Sequence, residues 1–198
     1  MTKEEFIDFV KVQTGDKHHE TVIEKAIASA WNTILYNTFK NNPDNLDLYT
    51  KEYKIATGSI LQNANTSIWY FLLPAQISQL PTSEQLREVR PLTDVQNTFG
   101  IISLSQRTTL NNLQSIDISE KRTTCCVRGN TVEFDNISAA NRSAGVLANL
   151  VVSFEEYADT DDIYVPSGQD IDLLGLTKSF LEGTPPEIKV DNNTVKRN

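Results

Sequence analysis

Residues Val22–Phe39 read VIEKAIASAWNTILYNTF, and the spacing of their apolar side chains decides how the rest of the chain is read. Val22, Ile23, Ala26, Ile27, Ala30, Ile34 and Leu35 return at the three- and four-residue intervals of a helix with one face towards a core. Trp31 and Phe39 widen that stripe. Asn41-Asn42-Pro43-Asp44 ends it, because proline disfavours helical backbone at the residue before it. Towards the N-terminus, Thr2 followed by Glu5 forms a capping-box pattern. Phe6, Phe9, Val10 and Gln13 then continue on one stripe, and Thr14-Gly15 closes a first helix. Asp16 is placed to cap the second.

From about Tyr53 the texture changes to threonine, β-branched and aromatic residues, and helical periodicity fades. Candidate strands are Tyr53–Ala56, Ile68–Leu73, Val89–Leu92 and Gly100–Ser105. The clearest hairpin is Thr123–Val127, a three-residue loop Arg128-Gly129-Asn130, and Thr131–Phe134. Gly145–Phe154 is a buried strand or a short helix, with strand favoured by composition. Pro81 opens a turn into a short helix near Glu84–Glu88. After Pro166-Ser167-Gly168 a last helix runs over Gln169–Leu181. Its stripe is Ile171, Leu174, Lys178 and Leu181, with Leu173, Leu176 and Phe180 beside it. Gly183 stands as its C-cap glycine. Pro185-Pro186 then imposes extension, and Glu187–Asn198 is polar with an Ile188/Val190 patch. The expected fold is α+β. A small helical bundle (1–50 and 155–183) combines the N-terminal helix pair with the C-terminal helix. A β-rich lobe (51–154) is inserted between them, and 184–198 form an extended C-terminal arm.

The chain has 198 residues, suited to one domain with a core that needs no disulfide or metal. Its formal charge of −8 argues against a domain that grips phosphates through a basic face. It is compatible with a wall along which DNA slides. The cysteines are adjacent, Cys125 and Cys126, so a strand points them to opposite faces. One is expected in the core and one outside, in a reducing cytosol. No stretch reaches the roughly 18 apolar residues of a membrane span. The acidic, amphipathic opening is not that of a signal peptide.

His18 and His19 are neighbours rather than three or four apart, so their rings do not share a helix face for a metal. A Cys125 or Cys126 nucleophile with a histidine base has no local support. Asp159, Asp161 and Asp162 form an acidic loop. A calcium loop starting at Asp159 would need a glycine where Tyr164 stands and a glutamate where Asp170 stands. The run Ala56-Thr57-Gly58-Ser59 lacks the lysine of a phosphate loop. Trp69, Tyr70 and Phe71 read as a buried strand rather than a stacking platform. Arg87, Arg90, Arg107, Lys121, Arg122 and Arg128 are too dispersed to form a basic patch. The expectation is a protein that is not an enzyme and that takes no cofactor or metal.

Three stretches carry a family resemblance: TKEEFIDFV (Thr2–Val10) with Val22–Phe39; FEEYADTDDIYVP (Phe154–Pro166); and IDLLGLTKSFL (Ile171–Leu181) with GTPPEIKVDNN (Gly183–Asn193). Together, over about half the chain, they resemble the head–tail adaptor proteins of short-tailed bacteriophages, including the connector rings of crAss-like phages. Such relatives often place a proline before a late helix and then an extended arm that docks on the portal. The resemblance implies a structural virion protein, assembled in the host cytoplasm as a ring of about a dozen copies beneath the portal. The ring would extend the DNA channel, pass the genome without sequence-specific binding, and offer a platform to the next tail ring. The interaction residues it suggests are Pro185, Pro186, Ile188 and Val190 in the arm, with Leu173 and Phe180 on the last helix. The alternatives are a tail-completion or stopper protein, or a soluble ligand-binding module or small enzyme using the β lobe.

Overall fold

A computed structural model describes residues 1–78, 80, 84–94, 96–112, 122–163, 165–166 and 169–183. The chain is α+β, as its sequence implies. Helix α1 spans Lys3–Thr14 and starts with the expected capping box. The Glu5 N–H donates to Thr2 Oγ1 (3.2 Å), and the Thr2 N–H donates to Glu5 Oε2 (2.8 Å). Gly15 closes the helix at φ 70°. Thr2→Ala, which removes one acceptor of this reciprocal pair, is expected to lower stability by about 1 kcal/mol in urea unfolding. Its buried stripe is Lys3, Phe6, Ile7 and Val10. Phe9, expected on that stripe, is 40 % exposed, because the inward face is centred on the 3-6-7-10 row.

Helix α2 spans Glu20–Asn41. Asp16 does not cap it. That residue turns the linker at φ 54°, and His19 holds the cap position without a side-chain bond. Of the expected stripe, Ile23, Ala26, Ile27, Ala30, Ile34 and Leu35 are buried, as is Trp31; Val22 is exposed. Asn42 is extended (φ −155°) before Pro43, and a 3-10 helix, Pro43–Tyr49, leads into the first strand.

Two sheets follow. The first is antiparallel, in the order β1 (Thr50–Ile55), β8 (Val146–Val151), β4 (Leu86–Pro91). The doubtful stretch is therefore a strand, and a central one. Val146, Ala148, Leu150 and Val151 are all fully buried, which gives it its continuous apolar texture. The short helix expected near Glu84–Glu88 is overturned, since β4 begins at Leu86. A bulge between Leu86 and Glu88 adds a residue, so Leu86 and Val89 are both buried although three apart, which imitates a helical period.

The second sheet runs β2 (Leu61–Gln62), β3 (Trp69–Leu72), β7 (Thr131–Asp135), β6 (Thr124–Arg128), β5 (Gly100–Ile101), with β5 parallel to β6. The β6–β7 hairpin is tighter than its sequence suggests. Arg128 pairs with Thr131, leaving Gly129-Asn130 as the loop, and Gly129 takes φ 62° at the position where a type II′ turn needs glycine. The strand expected over Gly100–Ser105 stops at Ile101 and gives way to helix α3, Leu104–Asn112. Ser103 and Gln106 cap α3 reciprocally: the Gln106 N–H donates to Ser103 Oγ (3.2 Å) and the Ser103 N–H to Gln106 Oε1 (2.8 Å). Helix α4, Ala139–Ala144, was not apparent in the sequence. Ser138 caps it, and Arg142 lies 4.0 Å from the centre of the Trp69 ring.

Helix α5 spans Gln169–Glu182, with Gly183 at φ 67° beyond it. It packs along α2, and α1 touches both. Its buried residues are Leu173 and Thr177, with Leu174, Leu176 and Leu181 half-buried against the core. Ile171, expected on the stripe, is 72 % exposed. Side chains from the helices and from both sheets join one core that includes Phe6, Ile27, Trp31, Phe71, Val89 and Phe134. Among the described residues no helix is long and apolar enough to cross a membrane.

Candidate functional site

The acidic loop after β8 holds the chain's N-terminus. A helix start leaves its first N–H groups without intrahelical partners. Here the Lys3 N–H donates to the Asp161 carbonyl (3.0 Å), and the Glu4 N–H to the Asp159 carbonyl (3.1 Å). Thr2 bridges to Asp162 as a short antiparallel pair, and the Ile163 N–H donates to the Met1 carbonyl (3.0 Å). The side chains reinforce this clasp. The Met1 amine lies 3.4 Å from Asp162, and buried Lys3 lies between Glu24 (3.6 Å) and Asp159 (3.7 Å), over the Phe154 ring. Lys51 of β1 reaches Asp161 at 2.5 Å. That hydrogen bond, assisted by the Ala158 N–H, holds the Asp161 carboxyl below the usual carboxylate range. The loop stays solvated, as its composition suggests, with the Asp159 and Asp162 side chains 70 % and 63 % exposed, but its carboxylates also face the Met1 amine, Lys3 and Lys51. Among the described residues no group of three His, Cys, Asp or Glu side chains is placed to hold a metal ion.

Both cysteines are buried, which corrects the expectation of one inside and one outside. Their side chains do alternate. Cys125 joins the apolar core, but the opposite face of β6, where Cys126 points, is covered by α3. Arg107 of α3 enters there, with Nη1 3.3 Å from Cys126 Sγ. The same guanidinium bonds Glu133 through Nη1, and Asp135 Oδ1 through Nη2 (2.7 Å) and Nε (3.2 Å). Burial opposes the Arg107 charge, but the hydrogen bonds to Asp135 and Glu133 outweigh it and move its pKa up. Burial pushes both thiols up, and the Arg107 charge offsets this only in part for Cys126. They are neutral thiols rather than poised nucleophiles. His18 and His19 sit at the entry to α2, with His19 Nδ1 3.3 Å from Thr21 Oγ1.

A groove of about 580 Å³ opens where β4 meets β5. Asp47, Arg87, Glu88, Phe99, Arg122 and Asn149 line it. Arg87 is held there by Asp47 (2.6 Å) and Glu84 (2.6 Å), and Asn149 Nδ2 donates to Glu88 (2.7 Å).

Of the residues expected to make interactions, Leu173 is fully buried in the core and Phe180 is 37 % exposed on α5. Pro185, Pro186, Ile188 and Val190 lie outside the described residues, as does the whole arm 184–198. The sequence reading missed the clasp and the Arg107 cluster. A partial signal was available for the second, because Ser103 and Gln106 form a helix-start pattern. No protein-family model matches the chain, and no curated protein matches it.

Proposed function

We propose that the chain is a structural subunit of a phage connector ring, placed between the portal and the next tail component. The observation that carries this reading is the convergence of the three stretches behind the resemblance. Thr2–Glu4 dock on Asp159–Asp162, and α5 packs along α2, so the described parts of these stretches, far apart in sequence, pack against one another. In this reading α1, α2 and α5 form the bundle that docks, 51–154 form the lobe, and 184–198 reach the portal. Phe180, near the C-terminal end of α5 and 37 % exposed, is available to share that contact. The net charge of −8 suits a passage through which DNA slides without being held. The groove beside β4 favours a second reading, a small-ligand module.

Mass photometry of the protein with the portal encoded beside it separates the two. The connector reading expects a portal-dependent gain of about a dozen subunits, lost on deleting 184–198. A monomer that ignores the portal overturns it, and unchanged docking by the truncated chain overturns the role of the arm.

A further inference from the structure

Helix α3 is fastened to its sheet in an unusual way. Its sequence, LSQRTTLNN, offers no apolar stripe, and Leu104 is 44 % exposed. Among its described side chains Arg107 is the buried one. The Ser103/Gln106 cap satisfies two of the N–H groups at the start of the helix, but a helix of nine residues still needs its attachment to the sheet to persist. Among its described side chains, what fixes it is a guanidinium inserted between two carboxylates and a thiol, all on adjacent strands. Cys126 and Glu133 are direct cross-strand partners, and Asp135 is two residues along β7 on the same face. The planar, forked geometry of arginine matches this arrangement, and the compact charge of lysine does not.

We propose that Glu133, Asp135 and Cys126 form a guanidinium-binding socket that Arg107 fills in cis, making α3 a releasable cap. Release bares a thiol and two carboxylates on the sheet face, Glu133 keeping only the exposed Arg128 at 3.6 Å, and an arginine side chain of a partner chain takes the place of Arg107. This is independent of whether the chain assembles beneath a portal.

Reaction of the native protein with an aromatic disulfide reagent tests the idea, with Cys126→Ser identifying which thiol responds. In the unaltered protein Cys126 is expected to react roughly tenfold or more faster than Cys125, because α3 opens locally while the core stays closed. Arg107→Ala is expected to raise the Cys126 rate by a further factor of about ten or more while Cys125 stays protected. Methylguanidinium at about 10 mM should slow Cys126 again in that variant, and methylammonium should not. Equal rates for the two thiols in the unaltered protein overturn the cap without relying on any variant. An Arg107→Ala rate no faster than the unaltered one overturns the role of Arg107. Equal effects of the two cations overturn the socket.

Discussion

Gly145→Ala is expected to destabilise the protein by about 4 kcal/mol or more, enough to remove much of the stability of a domain this size. Gly145 joins α4 to β8 at φ 86°, ψ 174°, a region of backbone space that is essentially reserved for glycine. A Cβ there would lie 2.5 Å from the Ile55 carbonyl oxygen, 3.0 Å from Leu92 Cδ1 and 3.3 Å from the Thr57 nitrogen. Two of those neighbours are backbone at the end of β1. They cannot retreat without breaking the Ile55–Val146 pairing that begins the central strand. Gly58 and Gly129 also have positive φ, but nothing lies within 4 Å of their Cβ positions. Alanine at either carries only the backbone strain, about 1 kcal/mol. Urea unfolding of the three variants gives the comparison. A Gly145→Ala midpoint close to that of Gly129→Ala would show that the crowding at Ile55 is not what constrains this site.

Trp31→Ala is expected to cost about 3–5 kcal/mol, through lost burial and the cavity left behind. Trp31 is fully buried at the centre of an aromatic group. Its ring centre lies 5.6 Å from Tyr49, 5.8 Å from Tyr157 and 6.3 Å from Phe154, the first two edge-on. These rings come from α2, the 3-10 helix before β1 and the turn after β8, so one side chain ties three segments together. Trp31→Phe isolates the polar contribution. Trp31 Nε1 donates to the Val152 carbonyl (3.2 Å), but Ser78 Oγ also donates to that oxygen (2.7 Å). The carbonyl therefore keeps a partner, and the phenylalanine variant is expected to lose only about 1–2 kcal/mol. A phenylalanine variant as unstable as the alanine one, by the same unfolding measurement, would place the weight on the indole N–H instead.

The parts of the fold legible in the sequence are those in which one rule acts alone. The α2 stripe and the Thr2/Glu5 cap are local, and the structure repeats them with small shifts at Phe9 and Val22. Where two effects overlap, the reading fails. The bulge in β4 gives a strand a helical spacing. Cys126 was read from the alternation of a strand, which holds, but whether its face meets water depends on α3. That helix was invisible to hydrophobic pattern because a charge cluster anchors it. Asp159 and Asp162 are surface residues, as they looked, but nothing in their neighbourhood shows that Lys3 and Lys51 meet this loop from far along the chain. The interaction residues divide in the same way. Leu173, read as lying beside the stripe, is the residue that turns inward while Ile171 of the stripe is exposed, and Phe180 near the end of α5 stays partly exposed.

The order of strands bears on how the chain is made. On a ribosome delivering residues in sequence, β1 and β4 both emerge before the strand that joins them, because each pairs with β8. Until Val146–Val151 arrives, neither has its neighbour in this sheet, and their backbone donors must be met by water or by other chains. Closure of the sheet is thus a single late event spanning about half of the chain, of the kind that folds slowly. Helix α1 is finished later still: made first, it waits for Asp159 and Asp161 to supply the carbonyls that complete its opening turn.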